Sequence, residues 1–142
     1  KTGRPAPLRM GPFLWTQHHE SPMLQIEDGD AVACLACDGP FIKRQVRLDA
    51  GRCEILDSVC NSQPHQVTWI LAPGWTVQPL ERLRFALTHD DGTRLHMEFA
   101  SADSIDVEVL EVEVSPRFLQ RLVAPALRLC FTRALKTRIK SA

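Results

Sequence analysis

The stretch from Ile42 to Trp75, IKRQVRLDAGRCEILDSVCNSQPHQVTWILAPGW, limits the chain to few folds. Ile42, Arg44, Val46 and Leu48 fall on one side of an extended backbone and Lys43, Gln45 and Arg47 on the other, because side chains two apart share a strand face. Asp49-Ala50-Gly51 breaks the run where glycine accepts positive φ and aspartate bonds its own backbone, so a hairpin follows. The return run, Cys53 to Val59, carries Ile55 and Leu56 and stops at Asn61-Ser62-Gln63-Pro64, where proline has no N–H for a ladder. His65, Val67, Trp69 and Leu71 then alternate with Gln66, Thr68 and Ile70 until Ala72-Pro73-Gly74. Three strands in close succession demand an antiparallel sheet.

The same pattern extends both ways. Met23 to Ile26 and Ala31 to Cys37 flank Glu27-Asp28-Gly29-Asp30, a strong hairpin signal. Trp75 to Gln78, Leu83 to Thr88 and Arg94 to Phe99 continue it, the last two joined by Asp90-Asp91-Gly92. Ile105, Val107 and Val109 share a face, after which the apolar set shifts phase to Leu110, Val112 and Val114. That slip predicts a β-bulge near Val109 and Leu110. Ser115-Pro116 ends the run, Arg117 to Val123 reads as a loop or one helical turn, Leu127, Leu129 and Phe131 alternate, and a last short strand reaches Thr137 to Ile139. About ten strands at this spacing predict an all-β fold, an antiparallel β-sandwich with little or no helix.

At 142 residues one core suffices. Residues 1–10, with Gly3, Pro5 and Pro7, read as a linker-like lead-in, and residues 11–142 as a single sandwich domain. The chain opens on Lys1 and not on Met, which reads as a piece of a longer polypeptide or a processed product. Its 44% hydrophobic and 24% charged residues exclude disordered and collagen-like classes. No window of about 18 apolar residues marks a membrane-spanning helix. A net charge of zero predicts no bulk attraction to nucleic acid or membrane.

Charge is nevertheless segregated. Glu98 to Glu113 holds six acids and no base, and Ser115 to Ala142 holds seven Lys or Arg and no acid. One reading has acidic and basic strands pairing across a ladder, and the other a basic edge for an anionic polymer. Five cysteines, an odd number, do not make a small-domain disulfide framework. Cys34-x-x-Cys37 has the spacing of half a zinc site but no second pair, and residues 34 and 37 diverge on a strand, so the cysteines read as small buried residues. His18-His19-Glu20 lacks a third ligand in reach and reads as a solvated loop. No metal site is therefore expected. Nor is there a nucleophile elbow, phosphate loop, HExxH or Tyr. His65 and Asp57 form an acid/base pair only if hairpin register joins them; otherwise His65 caps a turn.

GPFLW (11–15), DGPFIKRQVRLDAGRCEILDSV (38–59), PHQVTWILAPGW (64–75), VEVSPRF (112–118) and LKTRI (135–139) together resemble the C-terminal part of heparinase II/III-like polysaccharide lyases. The resemblance rests on the order and spacing of these five segments. It implies a β-sandwich packed against an N-terminal α/α toroid, which carries a cleft for β-elimination at a uronic acid with Tyr and His moving protons. The family's metal ligands, His and Asp, stand before the GPFLW-like segment, which places them upstream of Lys1. Two departures are visible: relatives often have His shortly before the proline matched by Pro73, and Gly-Tyr where Gly39-Pro40 stands here.

The expected role is thus a sandwich module with no catalytic residue and no cofactor of its own. Its expected partners are a toroid in the same polypeptide and an acidic polysaccharide, with no nucleic acid and no membrane, and self-association through an apolar face exposed without the toroid. A free-standing carbohydrate-binding or protein-interaction sandwich is the alternative. Arg44, Arg47, His65, Trp69 and Trp75 are the glycan-contact candidates, since Arg forks match carboxylate or sulfate and indole faces pack on sugar rings. Trp69, between Val67 and Leu71, reads equally as core, and Arg44 and Arg47 lie on opposite faces of one strand. The resemblance implies a periplasmic or secreted location, while five cysteines leave a cytoplasmic one open.

Overall fold

The computed structural model describes residues 23–27, 30–35, 42–59, 63–117 and 119–142, with side chains from Lys43 onward. The expected lead-in at 1–10, the His18-His19-Glu20 segment and Cys37 lie outside the described residues. The described residues form eleven strands: β1 Met23–Glu27, β2 Asp30–Leu35, β3 Ile42–Asp49, β4 Arg52–Val59, β5 His65–Ile70 and β6 Trp75–Glu81 in the first half. They continue as β7 Arg84–His89, β8 Arg94–Ala100, β9 Asp106–Val114, β10 Leu122–Phe131 and β11 Ala134–Ser141. No helix occurs among the described residues.

The strands form two antiparallel sheets, one of eight strands in the order β1-β2-β3-β4-β11-β8-β7-β6 and one of three in the order β5-β10-β9. Tight turns set the local pairs. Asp49 stands opposite Arg52 across Ala50-Gly51, with Gly51 at φ 72° and the Asp49 side chain accepting from the Ala50 N–H. The β7–β8 turn closes in the same way, the His89 N–H donating to the Thr93 carbonyl at 2.9 Å. The long-range join is β11, which pairs β4 on one side and β8 on the other. The last strand therefore unites a first meander, β1 to β4, with a second, β6 to β8.

The core forms where the small sheet lies on the middle of the large one. Phe85 and Leu87 of β7, Met97 and Phe99 of β8, and Leu135 of β11 meet Leu127, Leu129 and Phe131 of β10, with Ile105 beside them. Leu127, Leu129 and Leu135 are fully buried. Phe85 and Phe99 meet edge to face at 5.9 Å, a favoured aromatic geometry.

Two expectations need correction and one is narrowed. β9 and β10 pair without a slip from Asp106↔Cys130 to Val114↔Leu122, so no bulge lies at Val109–Leu110. The apolar phase shift is real, but β10 makes the same shift opposite, burying Ala124 and Ala126 before Leu127, Leu129 and Phe131. The ribbon packs one face at one end and the other face at the other. The register shift that does occur lies between Pro79 and Glu81 on the edge strand β6, where a missing N–H is tolerated. Second, of the loop or helical turn expected from Arg117 to Val123 the described residues show the loop, with Leu119 at φ 63°, and it is shorter than expected because β10 already runs from Leu122. Third, the short last strand is the eight-residue central β11.

Candidate functional site

Three strands assemble the densest group of candidate residues. Arg44 of β3 stands directly opposite Asp57 of β4, on the face turned toward the small sheet. Its Nε donates to Asp57 Oδ1 at 2.6 Å and its Nη2 to Oδ2 at 2.9 Å, a bidentate pair. Asp57 is only 3% exposed. Hydrogen bonding to that carboxylate raises the Arg44 pKa above its ordinary value. On the other side the guanidinium carbon lies 5.0 Å from the centre of the Trp69 ring, within cation–π range. Trp69 packs against the core, and its buried Nε1 has no hydrogen-bond partner among the described residues.

His65 begins the same face of β5 that carries Trp69, with its ring 6.1 Å from Phe131. Both oxygens of Asp57 accept from Arg44, so that carboxylate is committed to the arginine. Arg44 is thus held by Asp57 through two hydrogen bonds and lies over Trp69, while His65 shares the Trp69 face of β5 and meets Phe131.

The other two candidates lie elsewhere. Arg47 is exposed on the outer face of the large sheet, opposite Glu54 in register, as alternation from Arg44 requires. Trp75 opens β6 at the far edge, its ring 5.1 Å from His89. There an open groove of about 450 Å³ runs between β6 and the β9–β10 ribbon, lined by Trp75, Val77, Val109, Glu111, Val123 and Pro125. The five candidates therefore occupy three places. Sequence reasoning missed Asp57 as the Arg44 anchor; its apolar neighbours at alternate positions, Ile55 and Val59, were the available signal that it points inward.

Among the described residues no group of three or more His, Cys, Asp or Glu is placed to hold a metal ion. Cys53 is half-buried, which pushes its thiol pKa up, and Cys130 is exposed. What these clusters offer is positive charge and indole surface, with no nucleophile held against a base.

An all-β sandwich of this topology matches solved lyases. The structure superposes on heparan sulfate lyase HepC from Pedobacter heparinus with a TM-score of 0.65 and 15% identity, covering 85% of this chain and 21% of that one. A structure described as a heparinase III gene product matches with a TM-score of 0.70 and 14% identity over 84% of this chain and 21% of the other. The chain resembles a part of these proteins and spans about a fifth of their length. In them the matched region belongs to a larger polypeptide. No protein-family model matches the sequence, and neither does any curated protein.

Proposed function

We propose that the chain is a non-catalytic β-sandwich module of a heparinase II/III-like polysaccharide lyase. In this reading it braces an α/α toroid of the same polypeptide and contributes one wall to an acidic-glycan cleft. The observation that carries the proposal is the superposition of 84–85% of the chain on a fifth of two heparinase III-type lyases. The chemistry agrees. Abstracting a proton beside a carboxylate needs a positioned base and stabilisation of the resulting anion, and the Tyr that the resemblance assigns to proton transfer has no counterpart in this chain. Arg44 with Trp69, His65, Arg47 and Trp75 remain the residues for glycan contact, Arg44 and Trp69 acting as one unit because the indole face carries the guanidinium. No cofactor is held by this chain in this reading.

The test is formation of unsaturated uronides, read by ultraviolet absorbance, on a panel of acidic polysaccharides. The chain and the product of the full reading frame around it are compared. The expected result is turnover by the longer product alone. Turnover by this chain would overturn the non-catalytic assignment, and a reading frame without a toroid would favour a free-standing carbohydrate-binding sandwich.

A further inference from the structure

The outer face of the large sheet carries a charged row with an unusual register. Arg47, Glu54, Arg138, Glu98, Arg84 and Glu81 stand directly opposite one another on β3, β4, β11, β8, β7 and β6, alternating in sign across six strands. β11 adds Lys136 and Lys140 on either side of Arg138. Glu54 receives Lys136 at 3.0 Å and Arg138 at 2.9 Å, with Arg52 beside them. Glu98 receives Lys140 at 3.0 Å and Arg84 at 3.2 Å.

Two of the three carboxylates, Glu54 and Glu98, sit deeper than the cations they pair with, while Glu81 at the edge is 66% exposed. The Glu54 and Glu98 side chains are 18% and 23% exposed, whereas those of Lys136, Arg138, Lys140, Arg84 and Arg52 are 36–48% exposed. Recessed carboxylates hold the cations upright, and each cation keeps donors free, since ammonium has three N–H groups and guanidinium five. From β4 to β6, six cations that are ion-paired or line the adjoining recess, Arg82 among them, stand against three carboxylates, Glu54, Glu81 and Glu98. The recess, of about 340 Å³, is lined by four cations, Arg82, Arg84, Lys136 and Arg138, and by two carboxylates, Glu81 and Glu98. A protein of zero net charge has gathered a positive surplus on one sheet face.

We infer that this outer face is a docking surface for an extended anionic polysaccharide, lying along Lys136, Arg138 and Lys140 with one acidic group seated in the recess. A polymer fits better than a single ion, because the three β11 cations repeat every second residue, about 6.7 Å apart along a strand. Polysaccharide fits better than nucleic acid, because Phe85 and Phe99, the latter at the floor of the recess, are buried in the core, leaving no exposed Phe or Trp among the described residues of this face from β4 to β6 to stack on bases. The choice of polysaccharide also rests on the lyase reading above. The surface itself does not, being distinct from the Arg44–Trp69 cluster on the opposite face.

The test is calorimetric titration of this chain with heparan sulfate over a series of salt concentrations, with single-stranded DNA of matched charge as competitor. Wild type is expected to bind heparan sulfate with a steep salt dependence. The double variant Lys136→Gln/Lys140→Gln is expected to lower the slope of log affinity on log salt by about 2, one per removed contact. Arg117→Gln/Arg121→Gln, the same charge loss in and beside the β9–β10 connection, should leave affinity unchanged, and Lys136→Arg/Lys140→Arg should restore it. No binding at low salt, an unchanged double variant, equal loss in the control, or preference for DNA each overturns the inference. The readout is binding, so its failure leaves uronide formation by the longer polypeptide to judge the lyase reading separately.

Discussion

Arg44 and Asp57, adjacent in register on β3 and β4, form a bidentate ion pair at 2.6 and 2.9 Å whose carboxylate is buried and whose guanidinium lies on the Trp69 ring. The pair is therefore both a tie between sheet and sandwich partner and the anchor of the candidate site. Removing one partner of a buried pair leaves an uncompensated charge, which costs about 3–5 kcal/mol in full burial. Arg44 is 39% exposed, so Arg44→Ala is expected to cost about 2 kcal/mol, with water reaching the orphaned carboxylate. Urea denaturation measures it, and Arg44→Ala/Asp57→Asn should recover part of the loss. A neutral single variant would show that the pair contributes nothing net.

Thr137 presents the opposite case. It lies on the core face of β11 with no exposure, and its Oγ1 has no hydrogen-bond partner among the described residues. A buried hydroxyl without a partner costs on the order of 1–3 kcal/mol. Thr137→Val keeps the shape and removes the polar atom, so it is expected to stabilise by about 1 kcal/mol, visible as a raised Tm. A lowered Tm would reveal a hydrogen bond supplied in solution.

Gly74 turns the chain from β5 into Trp75 at φ 92°, and a Cβ there would stand 2.9 Å from His89 Nε2 and 3.1 Å from an Asp90 carboxylate oxygen. His89 is the ring against which Trp75 packs. Gly74→Ala combines left-handed strain of about 1–2 kcal/mol with that clash, and a loss of about 2 kcal/mol is expected, with a changed Trp75 fluorescence spectrum. Wild-type stability and an unaltered spectrum would mean that the turn relaxes without moving the indole.

Acid should weaken the fold in a defined window. Lys136, then Arg138 and Arg52, hold the Glu54 carboxyl at about 2 instead of its ordinary 4.5, and Arg133 with Thr132 holds Asp103 at about 2 instead of 3.8. Both pKa values are depressed on folding, so both groups stabilise the fold above their unfolded values and lose that contribution as pH falls through the folded ones. Denaturation midpoints are expected to be flat from pH 7 to about 5 and to fall between about 4.5 and 2. Glu54→Gln should lower the midpoint at neutral pH and flatten part of the acid limb. An acid limb that is identical in the variant would remove Glu54 from the cause.

Much of this was legible from alternation and turn chemistry, because both are local. Phe85 and Leu87, or Met97 and Phe99, sit inward as period two requires. The acidic and basic segments do pair, Arg128 with Glu108 at 3.1 Å across β10 and β9, and Arg133 with Asp103 at 2.8 Å. The Val109–Leu110 phase shift misled because a change in what covers a strand and a bulge within it produce the same string of letters.

The amino-acid order by itself determined which residues extend, where hairpins close and which face of each strand is apolar, since these depend on neighbours a few residues away. Only the tertiary structure decided that β11 enters the middle of the large sheet, that Arg44 turns inward onto Asp57 while Arg47 points out, and that six alternating charges from six strands fall in one row. Those outcomes depend on pairings between residues as many as 88 positions apart, Arg52 with Lys140. Local periodicity carries no information about which distant strand supplies the partner.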